Sequence, residues 1–365
     1  MRVLYSICLF TLLIVQLSAQ QGLERIIVEK YYVSDESDKA VDGDGGELPV
    51  NSVTYRVFVD MLPDYIFQAA YGTPGHDLII GTSTRFFNNE DRGGRHPTYS
   101  RSQAENNTVM LDSWLSVGAG LRDHTGILKS RDNGVDNMVN ADGVLQNTAP
   151  QAGIPLTQQD GIIPGLNEPV TVVGFFDTDL SVLDDANDGP IPSIIKTSDG
   201  AWSSLNGSVG PDPDENIVLI GQFTTDGILQ LELNLQIRNQ TTFVVENYVA
   251  RNPVNDEILF EGLIHIDSLN YESAIKEVAL SDDKVTLFPN PTSGDLTITL
   301  DRDVVLSGEN DRYTLRSMDG SVLAGGNLTG YNTPVDIHHL TPGVYVLFLE
   351  LGHVYIYTDK VVVTR

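Results

Sequence analysis

Two loops carry most of the oxygen-rich chemistry of this chain. Asp132, Asp136, Asn140 and Asp142 fall in one stretch, and Asp177, Asp179, Asp184, Asp185, Asn187 and Asp188 in another. Closely spaced carboxylate and amide oxygens in glycine-containing loops suit a hard cation such as calcium. Neither stretch keeps EF-hand spacing. Aligned on Asp142-Gly143, the first puts Met138 at the leading ligand position; aligned on Asp188-Gly189, the second puts Ile195 where a bidentate glutamate is needed. Asp and Asn also populate ordinary solvated turns. Two readings stand side by side: a calcium site drawing on Asp132, Asp136, Asp142, Asp184, Asp185 and Asp188, or acidic turns open to water. Calcium is the one cofactor these residues suggest.

Other catalytic chemistry has less support. His76, His96, His124 and His265 lack the paired spacing of a zinc site. No Gly-x-Ser-x-Gly elbow is present, and Ser113 precedes Trp114 in a strand-like run better suited to a core. The single cysteine, Cys8, lies in an N-terminal apolar run, so the rest of the chain has neither a thiol nucleophile nor a disulfide. Two carboxylates brought together by folding, as glycoside hydrolysis requires, leave no local signature. Tyr31, Tyr32, Tyr65, Tyr71, Phe86, Phe87 and Trp202 are of the type that stacks on sugar rings, but aromatics in alternating strands more often fill a core.

The elements that would position these groups are strands. Runs rich in Val, Ile, Tyr, Phe and Thr recur at 25–33, 53–61, 65–71, 78–87, 110–117, 170–176, 216–224, 228–238 and 242–250. Clear alternation at 54–60 and 229–237 predicts antiparallel strands with one buried face. Residues 118–169 form a long Gly-, Asn-, Asp- and Pro-rich segment, and a connection of that size is usually functional or strapped down by ions. The expectation is an all-β fold: a large β-sandwich or jelly-roll-like domain at 20–268, a linker at 269–284, and a small immunoglobulin-like seven-stranded β-sandwich at 285–365.

Charge narrows the partners. The chain has 50 acidic and 22 basic residues, a net of −28. Nine of those acids and five of those bases lie from 285 onward, so residues 20–284 hold a net of −25. Such a field excludes nucleic acid and favours solubility and cation accumulation. At the N-terminus, Arg2, an apolar core at 7–15 and Leu17-Ser18-Ala19 have the anatomy of a signal peptide cleaved after Ala19. The apolar run is shorter than the roughly 20 residues that span a bilayer, so no transmembrane helix is expected in the mature chain.

At the other end, three motifs occur in order: Leu287-Phe288-Pro289-Asn290-Pro291-Thr292-Ser293-Gly294, Leu340-Thr341-Pro342-Gly343-Val344-Tyr345, and Lys360-Val361-Val362-Val363-Thr364-Arg365. Together they resemble the type A sorting domains of the type IX secretion system of Bacteroidota-type bacteria. The resemblance covers most of residues 285–365. It implies export across the outer membrane by the type IX secretion machinery to the medium or the cell surface. The positions that carry the motif are Pro289, Asn290, Pro291, Gly294, Pro342, Gly343, Tyr345 and Lys360. For the large domain the preferred expectation is a non-enzymatic module that binds calcium, polysaccharide or another surface component. A secreted glycan hydrolase and a purely structural or adhesive surface protein are the alternatives.

Overall fold

The structure is a computed structural model. It describes residues 21–38, 45–46, 48–106, 108–139, 145–176, 178, 180–184, 191–267, 284–302, 311–317, 322–351 and 355–364. The expected signal peptide with Ala19, and nearly all of the expected linker, lie outside the described residues.

The N-terminal region is built on three main sheets. In the first, Leu23–Val33 pairs antiparallel with Val53–Met61, which pairs with Ile217–Thr225, and Trp114–Leu115 closes the far edge. The second runs Ile194–Thr197, Leu78–Thr82, Leu229–Glu232, Ile264–Ile266. The third runs Ile258–Leu259, Val245–Val249, Leu235–Asn239, Tyr65–Tyr71, Ala201–Ser208, Thr171–Val173. All three contribute to one apolar cluster, with Tyr55, Val57 and Val59 from the first, Ile80 and Leu231 from the second, and Phe67, Trp202 and Ile237 from the third. Among the described residues helix is confined to short turns, such as the α-helical turn Arg101–Ala104.

Strand alternation at 54–60 predicts one wet face, and the structure differs. All nine residues of Val53–Met61 are buried. Its odd-numbered side chains enter the first cluster. Phe58, on the other face, joins a second cluster with Tyr31, Trp114, Met110, Leu121, Met138, Leu156 and Ile162. The long segment after residue 85 thus lies on the back of the first sheet, where it meets Arg56, and the other polar residues of that face, Thr54 and Asp60, are buried too.

The continuous alternation at 229–237 also hides a break. Leu229–Glu232 belongs to the second sheet and Leu235–Asn239 to the third. Buried Asn234 makes the switch possible: its Nδ2 donates to the carbonyls of Tyr71 (3.1 Å), His76 (3.1 Å) and Asp77 (3.2 Å), and its Oδ1 accepts from Ala250 N (3.3 Å). These backbone groups lie where the strands diverge, and a side-chain amide can supply hydrogen bonds that a ladder would otherwise make. The first residues are anchored equally specifically. Gly22 N donates to Glu246 Oε2 (2.9 Å) and Leu23 N to the Tyr248 hydroxyl (3.1 Å). A Cβ on Gly22 would stand 2.2 Å from the Tyr65 ring, so only glycine lets the backbone approach.

Among the described residues the C-terminal region has the seven strands expected. Val285–Phe288, Asp295–Leu300 and Asn332–Asp336 form one sheet; Val322–Asn327, Arg312–Arg316, Gly343–Leu351 and Tyr355–Val363 form the other. Both sheets feed one cluster that includes Leu287, Ile298, Val335, Leu315, Leu347 and Val361. Among the described residues, no strand of this region pairs with a strand before residue 267.

Replacing Asn234 with Ala removes its hydrogen bonds to the carbonyls of Tyr71, His76 and Asp77 and to the amide of Ala250 in the core. Asn234→Ala is expected to lower unfolding free energy by about 2–4 kcal/mol, read as a shifted urea midpoint. A loss within experimental error would mean that the sheet switch does not depend on this side chain.

Candidate functional site

The three C-terminal motifs converge on the last strand. Asn290 Nδ2 donates to Lys360 O (2.6 Å), and Val362 N donates to Asn290 Oδ1 (2.9 Å). A side-chain amide there takes the place of a peptide group in a ladder. Two residues on, Thr292 N donates to Val362 O (2.9 Å) and Thr364 N to Thr292 O (2.7 Å), a short parallel bridge. Pro289 and Pro291 flank the amide contact. Gly294 closes the turn by accepting from Ile337 N (2.9 Å). On the other side of the last strand, Gly343 faces Val363 and Tyr345 faces Val361. The Tyr345 hydroxyl reaches back to donate to Thr341 O (2.7 Å), which holds the Pro342-Gly343 turn.

The described acidic residues of the two loops are engaged with the protein's own groups. Asp132 is buried and its two oxygens accept from Gly134 N and Gly161 N, each at 2.9 Å. Asp136 pairs with Arg101 (2.7 Å) and Asp184 with Arg95 (2.7 Å). Asp142, Asp185 and Asp188 lie outside the described residues. Among the described residues no three acidic or histidine side chains converge in a manner that would hold a metal.

The long segment is strapped by ions, but they are the protein's own. Arg56, 1% exposed, lies flat on the Tyr31 ring with Cζ 3.5 Å from its centre. Its Nε donates to Gln222 Oε1 (2.9 Å) and its Nη1 to Gly161 O (3.1 Å). Gln222 passes the contact on, donating to Met110 O (2.8 Å) and Asp112 O (2.7 Å). Gly161 has φ +67°, and a Cβ there would meet Ile127 O at 2.7 Å and Arg56 Nη1 at 3.2 Å. Lys129 is the second strap: its ammonium donates to four carbonyls, Tyr31 (2.7 Å), Ala152 (2.5 Å), Ile154 (3.0 Å) and Lys30 (3.3 Å). That is an oxygen cage around a tethered cation. Sequence reasoning missed both residues, since a lone Lys in a polar loop and an Arg in an alternating strand read as solvent-facing.

Burial sets the protonation of this cluster. Asp160 Oδ2 accepts from Met138 N (2.7 Å) and Oδ1 from Ile162 N (3.2 Å), yet desolvation outweighs these bonds and pushes its pKa up to about 6. Desolvation lowers the Lys129 pKa to about 8, opposed by Glu29. Glu29 is raised by burial, partly offset by Lys129.

The described cavity of greatest interest lies elsewhere. About 370 Å³ in volume, it is lined by Pro49, Ser52, Thr84, Arg85, Phe86, Phe87, Glu90, Ile191, Thr225 and Asp226. Thr84 Oγ1 donates to Asp226 Oδ1 (2.5 Å), and Thr84 and Thr225 hydroxyls are 3.0 Å apart. These residues come from four distant segments, so no spacing in the chain announces them. Tyr31, Tyr32, Tyr65, Phe86, Phe87 and Trp202 are all buried, in keeping with their reading as core residues. The histidines stay scattered: His76 pairs with Glu257 (2.9 Å), His96 contacts Leu115 O (3.2 Å), and His265 Nε2 is buried without a partner.

Two outcomes follow. Asp160 has a folded pKa above its unfolded value, so its contribution to stability is complete below about pH 4 and lost as pH rises through about 6. The stability advantage of wild type over Asp160→Asn should therefore narrow by roughly 1–3 kcal/mol between pH 4 and 7; an advantage that grows with pH contradicts the raised pKa. Asn290→Ala removes both contacts to the last strand. It should cost about 1 kcal/mol and lower the fraction of protein exported, measured by comparing cell-associated and extracellular protein. Unchanged export would show that this clasp is dispensable.

Comparison with known proteins bears mainly on the C-terminal region. Residues 286–364 match the family model described as a secretion system C-terminal sorting domain. No curated protein matches the chain. A solved structure described as a biofilm associated protein, BSP domain, aligns with 6% identity and a TM-score of 0.22, over 95% of this chain and 53% of that one. The chain thus spans about half the length of that protein, and a similarity at this level supports no further argument. No helix among the described residues is long and apolar enough to cross a membrane. The sorting domain implies the type IX secretion machinery as a partner. Residues 286–364 are a type IX secretion C-terminal sorting domain, and the protein that carries it is secreted or displayed on the outer cell surface.

Proposed function

We propose that the N-terminal region is a non-enzymatic extracellular binding module that takes a segment of polysaccharide in the cavity bordered by Ser52, Thr84, Arg85, Glu90, Thr225 and Asp226. The observation that carries this reading is the cavity's mixed lining. Hydroxyl, carboxylate and guanidinium groups stand beside the exposed apolar side chain of Ile191, over a floor that includes Phe86 and Phe87. Sugars present hydroxyl groups that donate and accept together with apolar ring faces, and such a lining offers both. Its volume falls in the usual range for small-ligand sites. The net charge of −25 on residues 20–284 disfavours polyanionic polymers and leaves neutral or amino-bearing glycans.

Binding is favoured over hydrolysis by where the perturbed acids lie. A glycosidase needs one carboxyl group held protonated beside the scissile bond. Among the described residues the carboxyl groups that burial raises are Glu29, Asp38 and Asp160, and none of them lines the cavity. Both Asp160 oxygens are already engaged with backbone amides.

The test is a glycan array followed by titration calorimetry on the full chain. Arg85→Ala is expected to weaken the strongest glycan ligand about tenfold, about 1.4 kcal/mol. Equal affinity for the variant rejects the cavity as the site, and release of reducing sugar by the wild type would replace binding with hydrolysis.

A further inference from the structure

One polar contact in the N-terminal region brings a nucleophile against an acyl group. Lys30 lies on the first strand, directly across from Tyr55 on its neighbour. Asp267 extends the last strand of the second sheet, donating its backbone N–H to Leu229 O (3.1 Å). The two side chains meet between the sheets, with Lys30 Nζ 2.9 Å from Asp267 Oδ2. The Asp267 side chain is 4% exposed and that of Lys30 19%. The Tyr55 hydroxyl donates to the same Oδ2. Two residues before Asp267, on the same face of the strand, His265 holds a buried Nε2 with no hydrogen-bond partner, and its charge interacts with both Asp267 and Lys30.

We propose that Lys30 and Asp267 react with each other, once the domain has folded, to form an intramolecular amide bond between the first and last strands of the N-terminal region. In the step, the ammonium gives up a proton, and the Nζ lone pair attacks Asp267 Cγ to form the C–N bond. Tyr55 donates to Oδ2 as negative charge builds there. The Cγ–Oδ2 bond then breaks, and Oδ2 leaves as water with the two protons that Nζ has lost. His265 is the base placed to carry the second proton from nitrogen to oxygen. An ammonium and a carboxylate become one amide and one water, so atoms and charge balance without any co-reactant.

Three physical arguments favour the reaction over a lasting ion pair. The reacting groups are held in contact, which replaces a bimolecular encounter by a high effective concentration. A buried ion pair carries a desolvation penalty that a neutral amide does not. Water, which would reverse the reaction, has little access to Asp267. The consequence is mechanical. Residues 21–365 contain no cysteine, so a disulfide is not available as a staple. The bond sits where the chain leaves toward the sorting domain, so a pull on either end of the region is borne covalently.

Intact mass spectrometry of the folded, purified full chain decides the matter. The wild type should be lighter than its sequence mass, corrected for leader removal, by one water. Proteolysis should yield a branched peptide joining the segments that hold Lys30 and Asp267. Lys30→Met and Asp267→Ala should each restore the full mass and lose the branched peptide. His265→Ala should slow bond formation on refolding by on the order of tenfold or more. A folded wild type at full mass with two separate peptides overturns the proposal, even if the variants fail to fold. So does a water loss that persists in Lys30→Met, which would locate the dehydration elsewhere.

Discussion

Burial of a guanidinium without a carboxylate to neutralise it is costly, of the order of several kcal/mol. Arg56 comes close to that situation, in the middle of a strand whose every residue is covered: its hydrogen-bond partners are neutral, and Glu29 and Asp160 act on its charge without bonding to it. What makes it tolerable is a set of neutral partners: the face of Tyr31, the amide oxygen of Gln222 and the carbonyl of Gly161. A desolvated cation over an aromatic ring gains about 2 kcal/mol, and hydrogen bonds to a charged donor are stronger than neutral ones. Each partner fixes another piece of chain. Tyr31 donates to Asp160 O (2.7 Å), Gln222 holds the backbone at Met110 and Asp112, and Gly161 lies in the long segment itself. Arg56 thus ties together, at the second core, three segments that cover the first sheet.

The same device explains how an acidic chain keeps long loops ordered. Several loop carboxylates are turned inward to cap backbone amides, while Asp136 and Asp184 pair with Arg101 and Arg95. Asp112 accepts from Asn89 N (2.9 Å) and Gly94 N (3.1 Å), and Asp132 and Asp160 act alike. Lys129 supplies the converse, a positive group ringed by carbonyls. A tethered ammonium has no dissociation equilibrium, so the strap does not depend on the ion content of the surroundings. For a protein that works outside the cell, with no cysteine in residues 21–365, polar locks of this kind take over part of the role that disulfides fill in small exported domains.

In the sorting domain a side chain again imitates backbone. Asn290 both donates to and accepts from the last strand, and Thr292 continues the pairing. The motif pieces that stand far apart in the chain therefore describe one structural object, the two flanks of the terminal strand.

Much of this was legible in the sequence alone. Strands at 53–61 and 65–71 coincide with the observed elements, and the seven short runs after 285 became seven strands, because β-branched and aromatic residues alternate there between turns. The sorting motif was equally legible, because its turn residues are locally constrained and recur in fixed order. Tertiary structure decided what periodicity cannot encode. Alternation at Arg56 and Thr54 signals a polar face, and only the packing of a distant segment determines whether that face meets water. Asn234 sits inside an unbroken alternating pattern, and its role as the point of sheet exchange rests on carbonyls more than 150 residues away. The cavity wall and the Lys30–Asp267 contact draw on segments from opposite ends of the region. Local residue type governs backbone conformation over a few neighbours, whereas the meeting of remote side chains is settled by how the sheets stack.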